Sequence, residues 1–444
     1  DKDINHIVSQ LTLEQKARLL VGCPGSDKGV SHIVAGSAGY TFPIDSLDIP
    51  SINLADGPVG VRITPVLPNK SYTSYCTCFP STTALAATWN KDIARLEGNA
   101  IGDEALAYGV DIVLTPGINI MRNPLCGRNF EYFSEDPYLS GIMGAAMING
   151  IQDKGIGASL KHFIANNQQT GKLYNDARIS QRAIREIYLK GFEICIKNSD
   201  PWTVMGSYNK IGGQYTQANP ELLRTILRNE WNYNGLIVTD WYKKRDTADQ
   251  LNGGTDLMMP GEQSQVDEII AGEKNGRISE TTLNKSVKYV LKLISKSISN
   301  KGWEYNEAPD LAANAALARR IATEGMVLLK NDRSFLPISQ GAKIALFGAT
   351  AYKSIAGGTG SSNVNKAHIT DISTGLEKGG YTLSNRLKGL YTKFVEFQND
   401  LLDKHPESTD WEKLSYNRTV IAEMDLSKAE SIIGQEAKNS DIAL

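Results

Sequence analysis

The feature that most constrains the fold of this 444-residue sequence is an alternation of short apolar segments with amphipathic helical patterns. Six segments of about five residues are typical of strands buried on both faces: 51–55, 110–115, 157–160, 203–207, 235–239 and 255–259. Between them, residues 181–198 carry apolar side chains at helical spacing, and Asn219-Pro220 is typical of a helix start. Strands that alternate with helices predict a parallel sheet with the helices outside.

The chain is expected to be an α/β protein with two domains. Residues 1–300 are predicted to form an N-terminal (β/α)8-like TIM barrel, although only six of its strands can be counted in the sequence. Residues 301–320 are predicted to be a linker, and residues 321–444 an α/β sandwich domain with strands at 326–329 and 344–347. The segment 439–444 is typical of half a buried strand, so we expect the second domain to be incomplete and the natural protein to continue.

The charge balance and the hydropathy exclude two kinds of partner. The 47 Lys and Arg residues against 49 Asp and Glu residues give a net charge of −2, which argues against a general electrostatic grip on nucleic acid. No apolar run approaches the roughly 20 residues of a membrane-spanning helix, so no membrane insertion is expected. Because the sequence begins with Asp1, we expect that residues were removed before it. The location stays open, with a periplasmic or secreted protein expected ahead of a cytoplasmic one.

Polar side chains stand where the predicted strands end. They are Asp56, Pro116, Lys161-His162, Tyr208-Asn209 and Asp240-Trp241. In a parallel barrel these positions share the C-terminal rim, where active sites are built. Each of them alone could serve only to turn the chain, since Asp, Asn and Pro suit turns. Their presence at five strand ends together predicts a functional site at this rim.

The residue types at the rim suit a carbohydrate. The carboxylates are Asp56, Glu131, Glu135, Asp136 and Asp240, and beside them stand Arg128, Lys161, Tyr208 and Trp241. Polar groups bond sugar hydroxyls, an aromatic face covers the apolar side of the ring, and glycosidic cleavage uses two carboxyl groups. Only one histidine, His162, ends a predicted barrel strand, so no metal site is expected. No G-x-S-x-G elbow supports a serine hydrolase, and no cofactor is expected.

Six motifs resemble glycoside hydrolase family 3, in its β-glucosidase and β-xylosidase branch. They are LADGPVGVR at 54–62, GRNFEYFSEDP at 127–137, KHF at 161–163, SYN at 207–209, GLIVTDW at 235–241 and EGMVLLKN at 324–331. The resemblance covers nearly the whole chain and implies a (β/α)8-like barrel followed by an α/β sandwich domain. It also implies a retaining exo-acting β-glycosidase, foremost a β-glucosidase acting on terminal non-reducing β-D-glucosyl residues. A β-xylosidase, a phosphorylase of the same family and a catalytically silent carbohydrate-binding protein stay open as alternatives.

The resemblance also implies roles for single residues. Asp240 resembles the family's nucleophile, which forms a covalent glycosyl-enzyme, and nearby cations such as Arg128 and Lys161 would favour its ionised form. The residues that resemble those holding the sugar are Asp56, Arg128, Lys161, His162 and Tyr208, with Trp241 as the aromatic wall. Two alternatives involve no sugar: Arg128 could pair with Glu135 or Asp136 inside its loop, and His162 could be a satisfied core histidine.

The sequence departs from the family pattern at three points. Lys172 stands where relatives often carry an Arg, and a Lys lacks the bidentate fork of a guanidinium. The acid/base Glu of relatives follows a strand like 440–444, so we expect it beyond Leu444 and name none. Because 163–202 holds no His, the branch that hydrolyses N-acetylglucosaminides is disfavoured. The expected substrates are β-glucosides or oligosaccharides; the remainder of the protein and a second copy of the chain are further candidate partners.

Overall fold

The computed structural model describes residues 2–25, 34–64, 72–241, 245–358, 360–403 and 422–444. Contacts within the chain divide it into two units, Asp1–Met326 and Val327–Leu444. The division lies directly after a helix, Leu311–Gly325, which belongs to the first unit. The sequence instead predicts a linker at 301–320 and a new domain from residue 321.

The first unit is built on one curled sheet. Its described strands are β1 Cys23–Pro24, β2 Gly39–Tyr40, β3 Asn53–Asp56, β4 Ile112–Leu114, β5 Gly157–Phe163, β6 Asp176–Ala177, β7 Thr203–Gly206, β8 Lys210–Ile211, β9 Gln214–Tyr215 and β10 Leu236–Val238. Seven of them form a sheet in the order β1-β2-β3-β4-β5-β7-β10. The pairings from β3 to β10 are parallel, whereas β2 is antiparallel to both of its neighbours. This is the curled half-barrel sheet of an α/β fold.

Isolated parallel bridges extend this sheet beyond β10. Val238 pairs with Leu257, and Met258 pairs with Val21, which lies just before β1. The predicted strand at 255–259 therefore contributes single bridges, while the other five predicted strands are confirmed as β3, β4, β5, β7 and β10. The remaining strands of the unit form a separate three-stranded sheet in the order β6-β8-β9.

The described α-helices of the first unit separate these strands. They are α1 Lys2–Gln10, α2 Leu13–Leu19, α3 Thr82–Ala87, α4 Lys91–Tyr108, α5 Pro137–Asp153, α6 Gln181–Ala183, α7 Lys190–Ser199, α8 Thr247–Gly253, α9 Gln263–Lys274, α10 Glu280–Lys296 and α11 Leu311–Gly325. The helix predicted at 181–198 is confirmed, with a π-helical turn at Ile184–Tyr188 between α6 and α7. The helix predicted after Asn219-Pro220 is π-helical over Glu221–Glu230, and Asn219 Oδ1 accepts a hydrogen bond from the Leu222 N–H (3.2 Å).

Small residues let the outer helices pack closely, and apolar strands fill the core. A Cβ added at Gly98 of α4 would lie 2.3 Å from the Met147 carbonyl oxygen of α5, so only glycine allows this approach. Every residue of β4, β5, β7 and β10 is buried. Strands buried on both faces can expose polar groups only at their ends, which directs functional side chains to the rim of the sheet.

The second unit is a smaller α/β arrangement. Its described elements are β11 Lys343–Ala345, α12 Ala349–Tyr352, α13 Ile372–Lys378, β12 Thr382–Leu383, α14 Asn385–Asp403, α15 Glu430–Lys438 and β13 Ile442–Ala443. The three strands are parallel, in the order β12-β11-β13. The strand predicted at 344–347 is confirmed as β11. In the described part of the chain, no helix combines the length and the apolar character needed to cross a membrane.

The strand predicted at 326–329 is wrong. This segment has no regular secondary structure, and its four apolar side chains are between 62% and 92% exposed. An extended segment becomes a strand only when a neighbouring strand accepts its hydrogen bonds. None of the described strands pairs with it. The apolar pattern therefore does not suffice to predict a strand, because the sequence does not show which neighbour would pair with it.

Candidate active site

Asp240 lies two residues beyond the end of β10, at the carboxyl end of the sheet. Its Oδ1 accepts a hydrogen bond from the Trp241 backbone N–H (2.8 Å), which fixes the rotation of the carboxylate. The other oxygen, Oδ2, is buried and has no hydrogen-bond partner within the described residues. A buried carboxylate oxygen without a donor destabilises the fold. Such an atom is a candidate for direct chemistry rather than for structural support.

A buried cluster of charges surrounds this carboxylate. Arg128 lies in the loop before α5, and its Nε donates a hydrogen bond to Glu131 Oε1. The Nη2 of the same guanidinium contacts His162 Nε2 at 2.8 Å. Lys161 Nζ lies 3.8 Å from Glu131 Oε2, and the Glu131 and Lys161 side chains are only 0% and 2% exposed. His162 Nε2 in turn lies 3.8 Å from Asp240 Oδ2. Two strand ends and one loop thus bring together Asp240, Arg128, Lys161 and His162 through direct contacts or through Glu131.

Burial and the cations determine the protonation of the two central groups. Burial, followed by the charges of Arg128 and Lys161, holds the pKa of His162 well below its usual range, so this imidazole is neutral at physiological pH. Burial raises the pKa of Asp240 above its ordinary value, and it outweighs Arg128, the Trp241 N–H and Lys161, which lower the pKa. The cations therefore favour the ionised carboxylate, as the sequence predicts, but burial has the larger effect.

Glu131 shows the opposite balance. Burial alone would raise its pKa, but Arg128 and Lys161 outweigh that effect, so the pKa of Glu131 is lowered and the group is an anion. The ionised Glu131 pairs with the cations of the cluster. It is therefore a charge partner for Arg128 and Lys161 and not a proton donor.

Lys172 and Tyr208 form a second layer of the site. Tyr208 follows β7, is 5% exposed, and lies with its ring centroid 4.6 Å from Lys172 Nζ. Burial and then Arg128 lower the pKa of Lys172, whereas Asp240 raises it, so the ammonium group is within electrostatic reach of the carboxylate. An aromatic face covered by a cation is a stable arrangement. Lys172 therefore belongs to the site, although the sequence marks it only as a departure from the family pattern.

The two remaining predicted site residues have partners of their own. Asp56 ends β3, and its Oδ2 lies 3.2 Å from Arg62 Nη1. Trp241 is buried, and its Nε1–H donates a hydrogen bond to the Ala38 carbonyl oxygen (2.9 Å). Both residues lie at carboxyl ends of strands. Asp56 is paired with Arg62 and Trp241 is bonded to Ala38, and none of the described hydrogen bonds joins either residue to Arg128. The described residues contain no cluster of three or more His, Cys, Asp or Glu side chains that could hold a metal.

The loop carboxylates Glu135 and Asp136 lie outside the buried charge cluster. Arg128 pairs with Glu131, so the alternative in which it pairs with Glu135 or Asp136 is wrong. Asp136 instead caps α5, where its Oδ1 accepts a hydrogen bond from the Tyr138 N–H (2.8 Å). Glu135 and Asp136 are both exposed. Neither lies in the buried charge cluster.

Two family models together match most of the chain. The model of the glycosyl hydrolase family 3 N-terminal domain matches residues 69–293, and the model of its C-terminal domain matches residues 326–444. The chain belongs to glycosyl hydrolase family 3. The resemblance that the six sequence motifs indicate is therefore confirmed.

Family 3 relatives extend the comparison. Thermostable β-glucosidase B of Acetivibrio thermocellus is 40% identical over 406 residues, which are 90% of this chain and 51% of that protein. An exo-α-(1→6)-L-arabinopyranosidase of Bifidobacterium longum is 37% identical over 84% of this chain and 49% of its own length. Among solved structures, β-glucosidase 3B of Thermotoga neapolitana in complex with α-D-glucose is similar to this chain with a TM-score of 0.91 at 40% identity. The match covers 99% of this chain and 62% of the Thermotoga neapolitana chain. The chain spans about half the length of the curated relatives it matches.

Three residues of this family 3 site lie outside the set that the sequence predicts. The Tyr132 hydroxyl contacts the His162 ring, and Asn166 donates a hydrogen bond to the Tyr132 hydroxyl. Asn119 holds the His162 backbone through two hydrogen bonds of 2.9 Å. Two of them lie within or next to recognised motifs, since Tyr132 follows Glu131 and Asn166 closes the run KHFIAN. Their position in a motif was the only available signal. Which side chains contact His162 depends on the folded loops.

Proposed function

We propose that this family 3 chain supplies the nucleophile of a retaining, exo-acting β-glucosidase that removes terminal non-reducing β-D-glucosyl residues. The observation that carries the proposal is Asp240 Oδ2, a buried carboxylate oxygen that no described donor binds, beside the cations Arg128 and Lys161. A free carboxylate oxygen in a cationic, water-poor site is what nucleophilic attack on a sugar requires. The β-glucosidases among its relatives support glucose as the sugar.

The proposed reaction has two steps. Asp240 Oδ2 attacks the anomeric carbon, the glycosidic bond breaks, and its electron pair leaves with the aglycone oxygen. A nitrophenolate can leave without being protonated, so a nitrophenyl β-glucoside needs no proton donor in this step. Its turnover therefore reports on Asp240 as the nucleophile. Water then attacks the same carbon and releases one proton to the solvent, the electrons of the ester bond return to Asp240, and the sugar is released with its configuration retained. The Trp241 N–H on Oδ1 keeps the carboxylate in one orientation through both steps.

The sugar contacts follow from the same geometry. We propose that Arg128, Lys161 and Tyr208 bind sugar hydroxyls beside Asp240, with Asp56 accepting from further hydroxyls and Trp241 covering one face of the ring. His162 lines the same site. Lys172, which covers the Tyr208 ring, adds a point charge there.

We also infer that the curled sheet belongs to a (β/α)8-like barrel. The bridges from Val238 to Leu257 and from Met258 to Val21 would close the circle between β10 and β1. The circle would then have seven strands plus the bridged segment around Leu257, with β2 as its one reversed strand. The active-site side chains would then lie at the carboxyl rim of this barrel.

Covalent trapping tests the nucleophile. A dinitrophenyl 2-deoxy-2-fluoro-β-D-glucoside should inactivate the protein, because the fluorine slows both formation and hydrolysis of the intermediate, while the good leaving group keeps formation fast enough for the intermediate to accumulate. Digestion and mass spectrometry should locate the fluoroglucosyl group on Asp240. The Asp240→Asn variant is the control and should take up no label. A label on any other side chain would overturn the assignment.

A second candidate function is an α-L-arabinopyranosidase, which the 37% identity to the Bifidobacterium longum enzyme favours. Nitrophenyl β-D-glucoside, β-D-xyloside and α-L-arabinopyranoside separate this activity, and the xylosidase alternative, from the proposed one by their kcat/KM values. Turnover that required inorganic phosphate would indicate a phosphorylase. Binding of glucose without turnover of any of the three substrates would indicate a silent carbohydrate-binding protein.

A further inference from the structure

Both ring nitrogens of His162 have a defined hydrogen-bond partner. Nε2 lies 2.8 Å from Arg128 Nη2, and Nδ1 lies 3.2 Å from the Tyr132 hydroxyl. A guanidinium has only donors, so Nε2 must accept from Arg128. A neutral imidazole carries one proton, which is therefore on Nδ1 and is donated to Tyr132. These contacts assign His162 to its Nδ1-protonated tautomer.

Asn166 determines which way the Tyr132 hydroxyl points. The hydroxyl accepts a hydrogen bond from Asn166 Nδ2 (2.9 Å) and donates one to the Asn166 backbone carbonyl (3.3 Å). Because a carbonyl oxygen can only accept, it takes the single hydroxyl proton of Tyr132. The remaining lone pair then faces His162 Nδ1. Tyr132 is fully buried, so no water competes for these positions.

The tautomer matters because of what lies on the other side of the ring. His162 Nε2 is 3.8 Å from Asp240 Oδ2. In the opposite tautomer Nε2 would carry a proton, which a small shift would donate to this oxygen. A proton on Nε2 would also repel the Arg128 N–H, which now donates to the lone pair of Nε2. The oxygen that has to attack the sugar would then be engaged by a hydrogen bond.

We propose that Tyr132 is a positioning residue that holds His162 in the Nδ1-protonated tautomer and so keeps Asp240 Oδ2 free for attack. His162 Nε2 then accepts from Arg128 and donates no hydrogen bond to Asp240. This inference rests on the proposed function, because it explains why the proposed nucleophile is left without a partner.

The charges that face His162 agree with a neutral ring. Arg128, Lys161 and Lys172 oppose an imidazolium, and burial acts in the same direction. The nearest oxygen of Asp240, Oδ2, lies 3.8 Å from His162 Nε2, whereas Arg128 Nη2 lies 2.8 Å from the same nitrogen and occupies its lone pair. The closer contact is therefore with a donor, which a protonated Nε2 could not accept.

Nuclear magnetic resonance on the unmodified protein tests the tautomer directly. The chain has five histidines, so nitrogen-15-labelled histidine gives few signals, and a His162→Gln variant assigns the one in question. Between about pH 6 and 8 we expect Nδ1 to be protonated, Nε2 to be unprotonated, and neither signal to titrate. A signal from protonated Nε2, or from an imidazolium, would overturn the proposal without any variant of Tyr132.

Tyr132→Phe tests the cause, with Tyr108→Phe as its matched control. Tyr108, the last residue of α4, is also buried. Its hydroxyl donates one hydrogen bond of 2.6 Å to the Tyr75 carbonyl oxygen. We expect Tyr132→Phe to move the His162 proton to Nε2 and to lower kcat/KM for an aryl glucoside by about ten- to a hundredfold, by analogy with the loss of a group that orients a metal-bound histidine. Tyr108→Phe should change neither.

The two readouts keep the inference apart from a mere loss of structure. A fall in kcat/KM with the His162 tautomer unchanged would make Tyr132 a structural residue and sink the proposal, as would an unchanged rate. The tautomer is measured without substrate, so the result does not depend on whether the protein has β-glucosidase activity. A fluoroglucosyl label on Asp240 together with protonated Nε2 would reject this inference and leave the proposed function intact.

Discussion

The two ends of the curled sheet bury carboxylates in opposite ways. At the amino end, Asp111 immediately precedes β4, and both of its oxygens are bonded. Oδ1 accepts from the Ser299 N–H (2.9 Å), and Oδ2 accepts from the Ser299 hydroxyl (2.7 Å) and the Asn53 N–H (2.8 Å). These bonds tie the segment after α10 to two neighbouring strands. Asp111 is therefore a structural carboxylate that completes its hydrogen bonds.

Asp256 follows the same rule. Its Oδ2 accepts from Arg228 Nη2 (2.6 Å) and from the Ile237 N–H (2.9 Å), and its Oδ1 accepts from the Ser286 hydroxyl (3.0 Å). The carboxylate is 3% exposed, so the pair with Arg228 is buried. One aspartate thus connects β10, α10 and the helix Glu221–Glu230.

At the carboxyl end, buried oxygens are left without donors. Asp240 Oδ2 and Glu131 Oε2 have no hydrogen-bond partner in the described part of the chain. Burial raises the pKa of Asp111, Asp256 and Asp240 alike, so the direction of the pKa shift does not separate the two ends. The number of satisfied oxygens does separate Asp111 and Asp256 from Asp240, because the first two have both oxygens bonded and Asp240 has only one.

The largest expected effect comes from Asp240→Asn. Removing the proposed nucleophile should lower kcat for nitrophenyl β-glucoside by about 10⁴-fold or more, the size of loss seen when an essential catalytic group is removed. Residual turnover is measured after active-site titration, so that traces of wild-type enzyme are counted. Activity within tenfold of wild type would place Asp240 with the structural carboxylates.

The same variant should not lose stability. Because the folded-state pKa of Asp240 is raised, the native state binds its proton more readily than the unfolded state does. The group's contribution to stability therefore falls as pH rises from the ordinary pKa of a carboxyl through the raised one. At neutral pH Asn removes this unfavourable charge, so the unfolding temperature should equal or exceed that of the wild type. A clear decrease would show that Oδ2 supports the fold.

Asp256→Asn should give the reverse result. The amide leaves the buried Arg228 guanidinium without its anion, and breaking a buried ion pair costs about 3–5 kcal/mol. Denaturant unfolding should show this loss, while kcat per folded molecule should stay at the wild-type value. A variant that kept full stability but lost activity would break the contrast between the two ends.

The sequence predicts the contrast only in part. Apolar segments of about five residues locate the strand ends, and this predicts that Asp240, Lys161 and His162 share one rim. Their chemistry followed because strand ends are where buried strands can expose polar groups. The number of hydrogen bonds that each carboxylate receives could not be predicted, because the donors to Asp111 and Asp256 come from segments up to 188 residues away in the sequence.

The missed residues share this physical reason. Tyr132 and Asn166 act through contacts between a loop and a strand end, and no periodicity marks such contacts. The strand expected at 326–329 failed similarly, since an apolar extended segment needs a partner that local sequence does not name. Local pattern predicts what a segment can become, whereas tertiary contacts decide what it binds.

The smallest expected effect distinguishes a charge from a contact. Lys172→Met removes one of the cations that lower the pKa of Asp240, so this pKa should rise further and the acid limb of kcat/KM, which needs the ionised carboxylate, should move to higher pH. We expect the acid limb to shift by about half a pH unit, because Arg128 and Lys161 lower the pKa of Asp240 more strongly than Lys172 does. An opposite charge directly beside a carboxylate shifts its pKa by about one to three units. Lys210→Met is the matched control.

Lys210 resembles Lys172 in one respect, since its Nζ lies 4.7 Å from the Tyr215 ring centroid, but it is not among the groups that shift the pKa of Asp240. Its loss should therefore leave the acid limb in place. Equal shifts in both variants would point to a general change in surface charge. A shift in Lys172→Met alone would show that the second layer of the site tunes the pKa of Asp240.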